Sequence, residues 1–284
     1  MKTLNHRPPF IANATLRLWM GVVVATLVAG CQHVNYLRDA QDSFTAAAQI
    51  ETKTRLAGDN AELERQLREA PAAALADLAS VQSGYASAIQ SLRMADASKL
   101  RQDKLLGVAL TLQALSEWRL GQHTEALATK ARAEKEAADQ IYPRDAAVLA
   151  ALPGLIKTDL AYARILTLGT NATENKSVFK TEIEPRLVGE KGAIQDLQAA
   201  SAKVEPGHPI QLYLIQCQLA AYRDYQLAHQ RVLSESPSLT NSPHMTARTN
   251  LTALKALTER LEVPTTGQNL VSFWERYNIR PFSP

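Results

Sequence analysis

From Ala72 to Ile141 the chain runs without a proline, rich in alanine and leucine and poor in the valine–isoleucine–threonine alternation of strands. Alanine and leucine are strong helix formers, and the apolar positions recur every three or four residues, the period of one helix face. One face runs Leu75, Leu78, Val81, Tyr85, Ala88, Ile89 and Leu92. A second runs Leu105, Val108, Leu112, Leu115 and Trp118 and stops at Gly121. A third begins near Thr124 and carries Ala126, Leu127 and Ala133 toward Ile141. The pattern predicts helices joined by short turns.

The same period governs the flanks. Tyr36, Ala40, Phe44, Ala47 and Ile50 mark an amphipathic helix that Gly58-Asp59-Asn60 ends, and Asp59 with Glu62 caps a short helix before Pro71. Arg144 to Leu168 is helical, with a kink or a break into two helices expected at Pro153-Gly154. The polar stretch 169–176 is a candidate sub-boundary, and Ser177 to Val188 is less regular. Gly192 opens a helix bearing Ile194, Leu197, Ala200 and Val204, and a turn at Pro206-Gly207-His208-Pro209 precedes a long helix from Ile210 to Leu233. Helices at Met245–Leu261 and Gln268–Tyr277 complete a helical domain over 36–277, and 278–284 is a tail. The fold class expected is all-α, with antiparallel helix pairs arranged as a solenoid or as an irregular bundle.

The N-terminus reads differently. Lys2, Arg7 and Arg17 precede an apolar run from Leu18 to Gly30, followed at once by Cys31. A basic leader, a short apolar run and small residues before a cut describe a secretory signal, and the run is shorter than the roughly 20 residues that span a bilayer. Val28-Ala29-Gly30-Cys31 resembles the lipobox of bacterial lipoproteins. The resemblance implies cleavage between Gly30 and Cys31, acylation of Cys31, and removal of 1–30. Gln32 is not the aspartate that favours inner-membrane retention in that family, which implies the periplasmic face of the outer membrane. Residues 31–35 form a short tether, so the domain is expected close to the bilayer at about 3.5 Å per extended residue.

That reading reassigns the charge. The formal net charge is +3, from 31 basic and 28 acidic residues. All of the excess lies in the leader, so the chain from Cys31 onward is neutral, and nothing suggests a nucleic-acid partner. With Cys31 acylated, Cys217 has no disulfide partner in its own chain; its apolar setting predicts a buried small hydrophobe.

A weak repeat is visible. Gly121, His123, Ala126 and Ala133 have the spacing of a turn glycine, an aromatic position and two close-packing alanines, and this resembles a tetratricopeptide repeat. Ser83, Tyr85, Ala88 and Ala95 repeat the spacing, and Asp224, Tyr225 and Ala228 repeat it in part. The offset from Ser83 to Gly121 exceeds the roughly 34 residues usual for that family.

Catalytic patterns are missing. There is no H-E-x-x-H, G-x-S-x-G, phosphate-binding glycine loop or paired C-x-x-C. His33, His123, His208, His229 and His244 are scattered, Glu182 and Glu184 fall on different helix faces, and Gly189-Glu190-Lys191-Gly192 reads as a flexible turn. No catalytic residue, metal or cofactor is assigned. Tyr213, Tyr222, Arg223 and Tyr225 share one helix and are the candidate lining of a groove, the alternative being tyrosines that close a core. The expected role is a lipid-anchored periplasmic scaffold that binds another envelope protein. A small-molecule or peptidoglycan-binding module, with lytic activity at the extreme, is the alternative.

Overall fold

The computed structural model describes residues 32–54, 71–205 and 208–233. Among them every regular element is helical: α1 Gln32–Thr54, α2 Pro71–Met94, α3 Ala97–Gln102, α4 Leu106–Arg119, α5 His123–Glu136, α6 Pro143–Leu166, α7 Ala172–Val178, α8 Glu184–Leu187, α9 Ala193–Ser201 and α10 Pro209–Leu233. A 3-10 turn at Ala138–Gln140 precedes α6, and a π-helical segment at Phe179–Ile183 joins α7 to α8. The all-α expectation is met. The capped helix after Asp59, the helices after Met245 and the site at Gly30 and Cys31 lie outside the described residues.

The helices pack in pairs, α1 with α2, α4 with α5, and α6 with α9. Ala47 of α1 meets Gly84 of α2, while His33, at the start of α1, reaches Asp103 beyond the end of α2, so the first pair is antiparallel. Phe44 and Tyr85 lock it with an edge-to-face contact at 5.2 Å. Gly121, at φ 74°, turns α4 into α5, and the start of α4 at Gly107 rests on the Gln140 carbonyl past the end of α5. The first helices of these pairs, α1, α4 and α6, lie side by side in that order.

Four details differ from expectation. Helix α1 begins at Gln32, so residues 32–35 of the expected tether are already helical. Helix α6 runs through Pro153 as one helix, so the expected break into two does not occur. Its neighbour Gly154 lets α9 approach so closely that a Cβ there would stand 2.9 Å from the Ala193 carbonyl oxygen. The repeat spacing falls on a turn only at Gly121; Ser83 and Asp224 lie inside α2 and α10, because helix-forming sequence carries those helices through the position where a turn was expected. Helix α3 was not anticipated, being too short to show a period. It is nucleated by Asp96, whose carboxylate accepts from the Ser98 amide at 2.9 Å and the Lys99 amide at 3.3 Å. The Ser98 hydroxyl, then those amides, hold that carboxyl below its ordinary pKa.

Among the described residues the core divides in two. Leu37, Phe44, Tyr85, Leu115, Leu152, Leu197 and Tyr213 belong to one cluster, and Ile165, Phe179, Ile183, Leu187, Tyr222 and Tyr225 to another. Helix α6 passes from the first to the second between Ile156 and Ala161, upstream of the polar stretch at 169–176. That stretch is a short loop and the first turns of α7, with the Asn171 side chain accepting from the Thr173 and Glu174 amides as N-cap. Helix α6 is also long and apolar enough to cross a bilayer, but Leu149, Leu152 and Ile165 place it in the core.

Candidate functional site

The face shared by α1, α4 and α6 carries a pocket of about 120 Å³. On α4, Val108, Thr111, Leu112 and Leu115 fall at intervals of three and four, which places them on one side of the helix and makes them its wall. Gln41 of α1 closes one edge, and Arg144 and Asp145 of α6 close the other. Leu115 forms a buried floor, whereas Val108 and Leu112 stay partly accessible. The Thr111 hydroxyl donates to the Gly107 carbonyl at 2.8 Å, so it brings no free donor to the cavity.

The polar edge follows from how α6 begins. Pro143 occupies the first turn, where its missing N–H costs nothing. Asp145 lies in the same turn, where a negative charge complements the helix dipole. Asp145 is only 4% exposed. The Arg144 Nε lies 3.6 Å from the Asp145 Oδ1, an ion-pair distance rather than a tight hydrogen bond. The Arg144 guanidinium also stands 5.6 Å from the centre of the exposed Tyr142 ring. The edge therefore presents a donor fork and a carboxylate side by side, with no net charge. The sequence reading did not select Gln41, Arg144 or Asp145. The proline and acid at a helix start were visible, but not the pocket that the acid shares with α1 and α4.

Among the described residues, the tyrosines named as groove candidates lie in the core. Tyr213, Tyr222 and Tyr225 are all buried, Tyr213 in the first core cluster and the other two in the second. The side chain of Arg223 lies outside the described residues. Apolar helix faces bury their tyrosines when another element covers them, and here α6, α9 and the π segment do so. The Tyr225 hydroxyl donates to the Glu184 carboxylate at 3.1 Å, and its ring lies 5.7 Å from that of Phe179. Burial raises its phenol pKa, and the Glu184 charge adds to this.

Cys217 is buried as its apolar setting predicts. Burial pushes its thiol up to about 12, despite a hydrogen bond from Tyr213 one turn away, and the Asp159 charge acts in the same direction. A thiol held protonated this firmly is a poor nucleophile at neutral pH. Burial likewise drives the Tyr213 phenol well above its ordinary range.

The remaining polar groups form cross-links. Glu182 pairs with Arg164 at 3.1 Å and with Arg186 at 3.3 Å, and the Arg164 hydrogen bond is the main reason its carboxyl titrates low. Glu184 pairs with Lys180 at 3.0 Å, so the two acids of this segment serve different partners. Lys157 Nζ donates to both the Lys191 carbonyl and Asp196 at 2.6 Å, fixing the start of α9. Glu117 is 2% exposed; it accepts from Gln113 through one oxygen and leaves the other buried without a partner. Among the described residues, no three of His, Cys, Asp or Glu stand together as a metal-binding group.

No protein family, curated protein or solved structure matches this chain.

Proposed function

We propose that this chain is a lipid-anchored interaction protein of the bacterial envelope. Acylated Cys31 holds the helical domain at the periplasmic face of the outer membrane, and the face shared by α1, α4 and α6 binds a segment of another envelope protein. The lipobox-like residues Val28-Ala29-Gly30-Cys31 support the location. The observation that carries the binding role is the pocket among Gln41, Leu112, Leu115 and Asp145. Stacked helix pairs offer their first helices as an extended recognition surface without dedicated chemistry, and the pocket brings apolar side chains and a few polar groups together on that surface.

The test is photo-crosslinking in intact cells from a reactive residue placed at Gln41, repeated with Leu112→Lys. Support is one discrete envelope-protein adduct that the charged substitution abolishes. An adduct indifferent to that substitution, or none at all, sinks the binding role.

A further inference from the structure

The start of α1, helix α3 and the α5–α6 connection meet at one end of the domain. The His33 Nε2 and the Asp103 Oδ2 lie 2.6 Å apart, binding the first turn of α1 to the turn between α3 and α4. Arg101 in the last turn of α3 pairs with Glu136 at the end of α5 at 3.0 Å. Its carbonyl accepts from the Gln140 side chain, shortly before α6. Three large apolar side chains stand exposed at this end: Met94 closing α2 at 61%, Tyr142 before α6 at 51%, and Val34 in the first turn of α1 at 39%.

The same end is basic. Between Arg93 and Lys104 the chain carries four bases, Arg93, Lys99, Arg101 and Lys104, against Asp96 and Asp103. Asp96 caps α3 and Asp103 faces His33, whereas Arg93 and Lys104 are exposed. The α5–α6 connection does not offset the excess, since residues 130–145 carry four acids and four bases. Lys104 also has φ 56°, in the left-handed region where a β-carbon is strained and glycine is the usual occupant after a helix. Strain held at one residue points to a use for its side chain.

Resting on the acylation of Cys31 proposed above, we infer that this end is a membrane-contact surface whose occupant is a bilayer with anionic headgroups. Cys31 adjoins the first helical residue, Gln32, so only about 3.8 Å of backbone separates the acylated residue from α1. With α1 tied to Asp103, the bilayer that holds the acyl chains lies against the end carrying Met94, Tyr142, Arg93 and Lys104. Apolar side chains beside Lys and Arg suit the headgroup boundary, and tyrosine is enriched at that depth. Each Lys or Arg near an anionic surface strengthens attachment about fivefold. The domain then stands on the membrane with the far end of α6 held away. The 24 residues of that helix, at about 1.5 Å each, put Leu166 roughly 36 Å from Pro143.

The test uses the acylated protein, purified from cells and reconstituted in vesicles that contain a nitroxide-headgroup lipid. A bimane fluorophore is attached through Gln102→Cys, exposed on α3, or through Leu166→Cys at the far end of α6; the buried Cys217 stays unlabelled. In equal parts phosphatidylglycerol and phosphatidylcholine, quenching is expected to be several-fold stronger at 102 than at 166. Arg93→Gln combined with Lys104→Gly should lower quenching at 102 by about twofold or more. Lys104→Gly by itself relieves the left-handed backbone and should raise Tm by about 2–4 °C, so a loss of contact there is not a loss of fold.

Equal quenching at the two positions overturns the inference. Quenching at 102 that is unchanged in vesicles of phosphatidylcholine alone, or in the double variant, overturns the preference for anionic headgroups. If Cys31 is acylated while position 102 is quenched no more than 166, this inference fails alone and the anchor stands. If Cys31 carries no acyl chain, the anchor and this inference fail together.

Discussion

The Trp118 Nε1 donates to the Asp159 Oδ2 at 2.7 Å, tying the last turn of α4 to the second half of α6. The tie sits next to the buried Tyr213 and Cys217 of α10, whose titration responds to the Asp159 charge. Trp118 is itself buried, with the Arg119 guanidinium 4.8 Å from its ring centre. Trp118→Phe keeps much of the apolar surface and removes the donor, so urea unfolding should show a loss of about 1–2 kcal/mol. Trp118→Ala leaves a cavity as well and should cost about 3–5 kcal/mol. Equal losses for the two would show that the hydrogen bond, not the ring, holds the tie.

Glycines at two positions should respond in opposite ways. A Cβ at Gly107 would overlap the Gln140 carbonyl and stand 2.9 Å from the Ile141 amide nitrogen, both backbone atoms that cannot swing aside. Gly107→Ala should therefore destabilise by about 1–3 kcal/mol through separation of α4 from the 3-10 turn. Around Gly169 a Cβ would meet nothing within 4 Å. Gly169→Ala should be neutral or stabilise by up to about 1 kcal/mol, by narrowing the unfolded ensemble. Thermal melts of both variants compare them directly.

Stability should fall in alkali, beginning near pH 9. The Cys217 thiol titrates at an ordinary 9.0 when unfolded and at about 12 when buried. Between those values the folded state holds a proton that the unfolded state has released. The unfolding free energy therefore decreases with pH, and this contribution is intact below 9.0 and gone above about 12. Tyr213 and Tyr225, whose phenols are also raised, should steepen the decline above their ordinary 10.0. Urea melts at pH 8, 9.5 and 10.5 should show a shallower decline for Cys217→Ala than for the wild type. Parallel curves would mean that the thiol is not protected by the fold.

Replacement of the residue at the end of the apolar leader tests the anchor. Cys31→Ser should abolish incorporation of labelled fatty acid and leave the leader uncleaved, as judged by mass spectrometry of the N-terminus. Unchanged labelling would place the acyl group elsewhere and refute Cys31 as the point of attachment.

Much of the architecture was legible in the residue pattern because a helix is a local object. The face from Val81 through Tyr85, Ala88 and Leu92 is buried along α2, Gly121 takes the left-handed turn between α4 and α5, and Pro209 opens α10. Each depends on neighbours within a few residues. Helix α3 escaped notice because a single cap at Asp96 sustains it without a repeating face, and the π segment at Phe179–Ile183 because one extra residue per turn leaves no period to read.

The candidate site was not legible for a different reason. Tyr213 and Tyr225 on one apolar helix look alike whether they face a groove or a neighbouring helix, and only the packing of α6, α9 and the π segment over them settles it. Asp145 reads as an ordinary acid in a helix's first turn, and only the fold puts it in one pocket with residues of α1 and α4. Periodicity along the chain dictates which residues leave water together, because spacing alone sets which side of a helix they share. Which surfaces those residues meet is a matter of contacts between distant segments, and the pocket exists only as the space that three such segments leave among them.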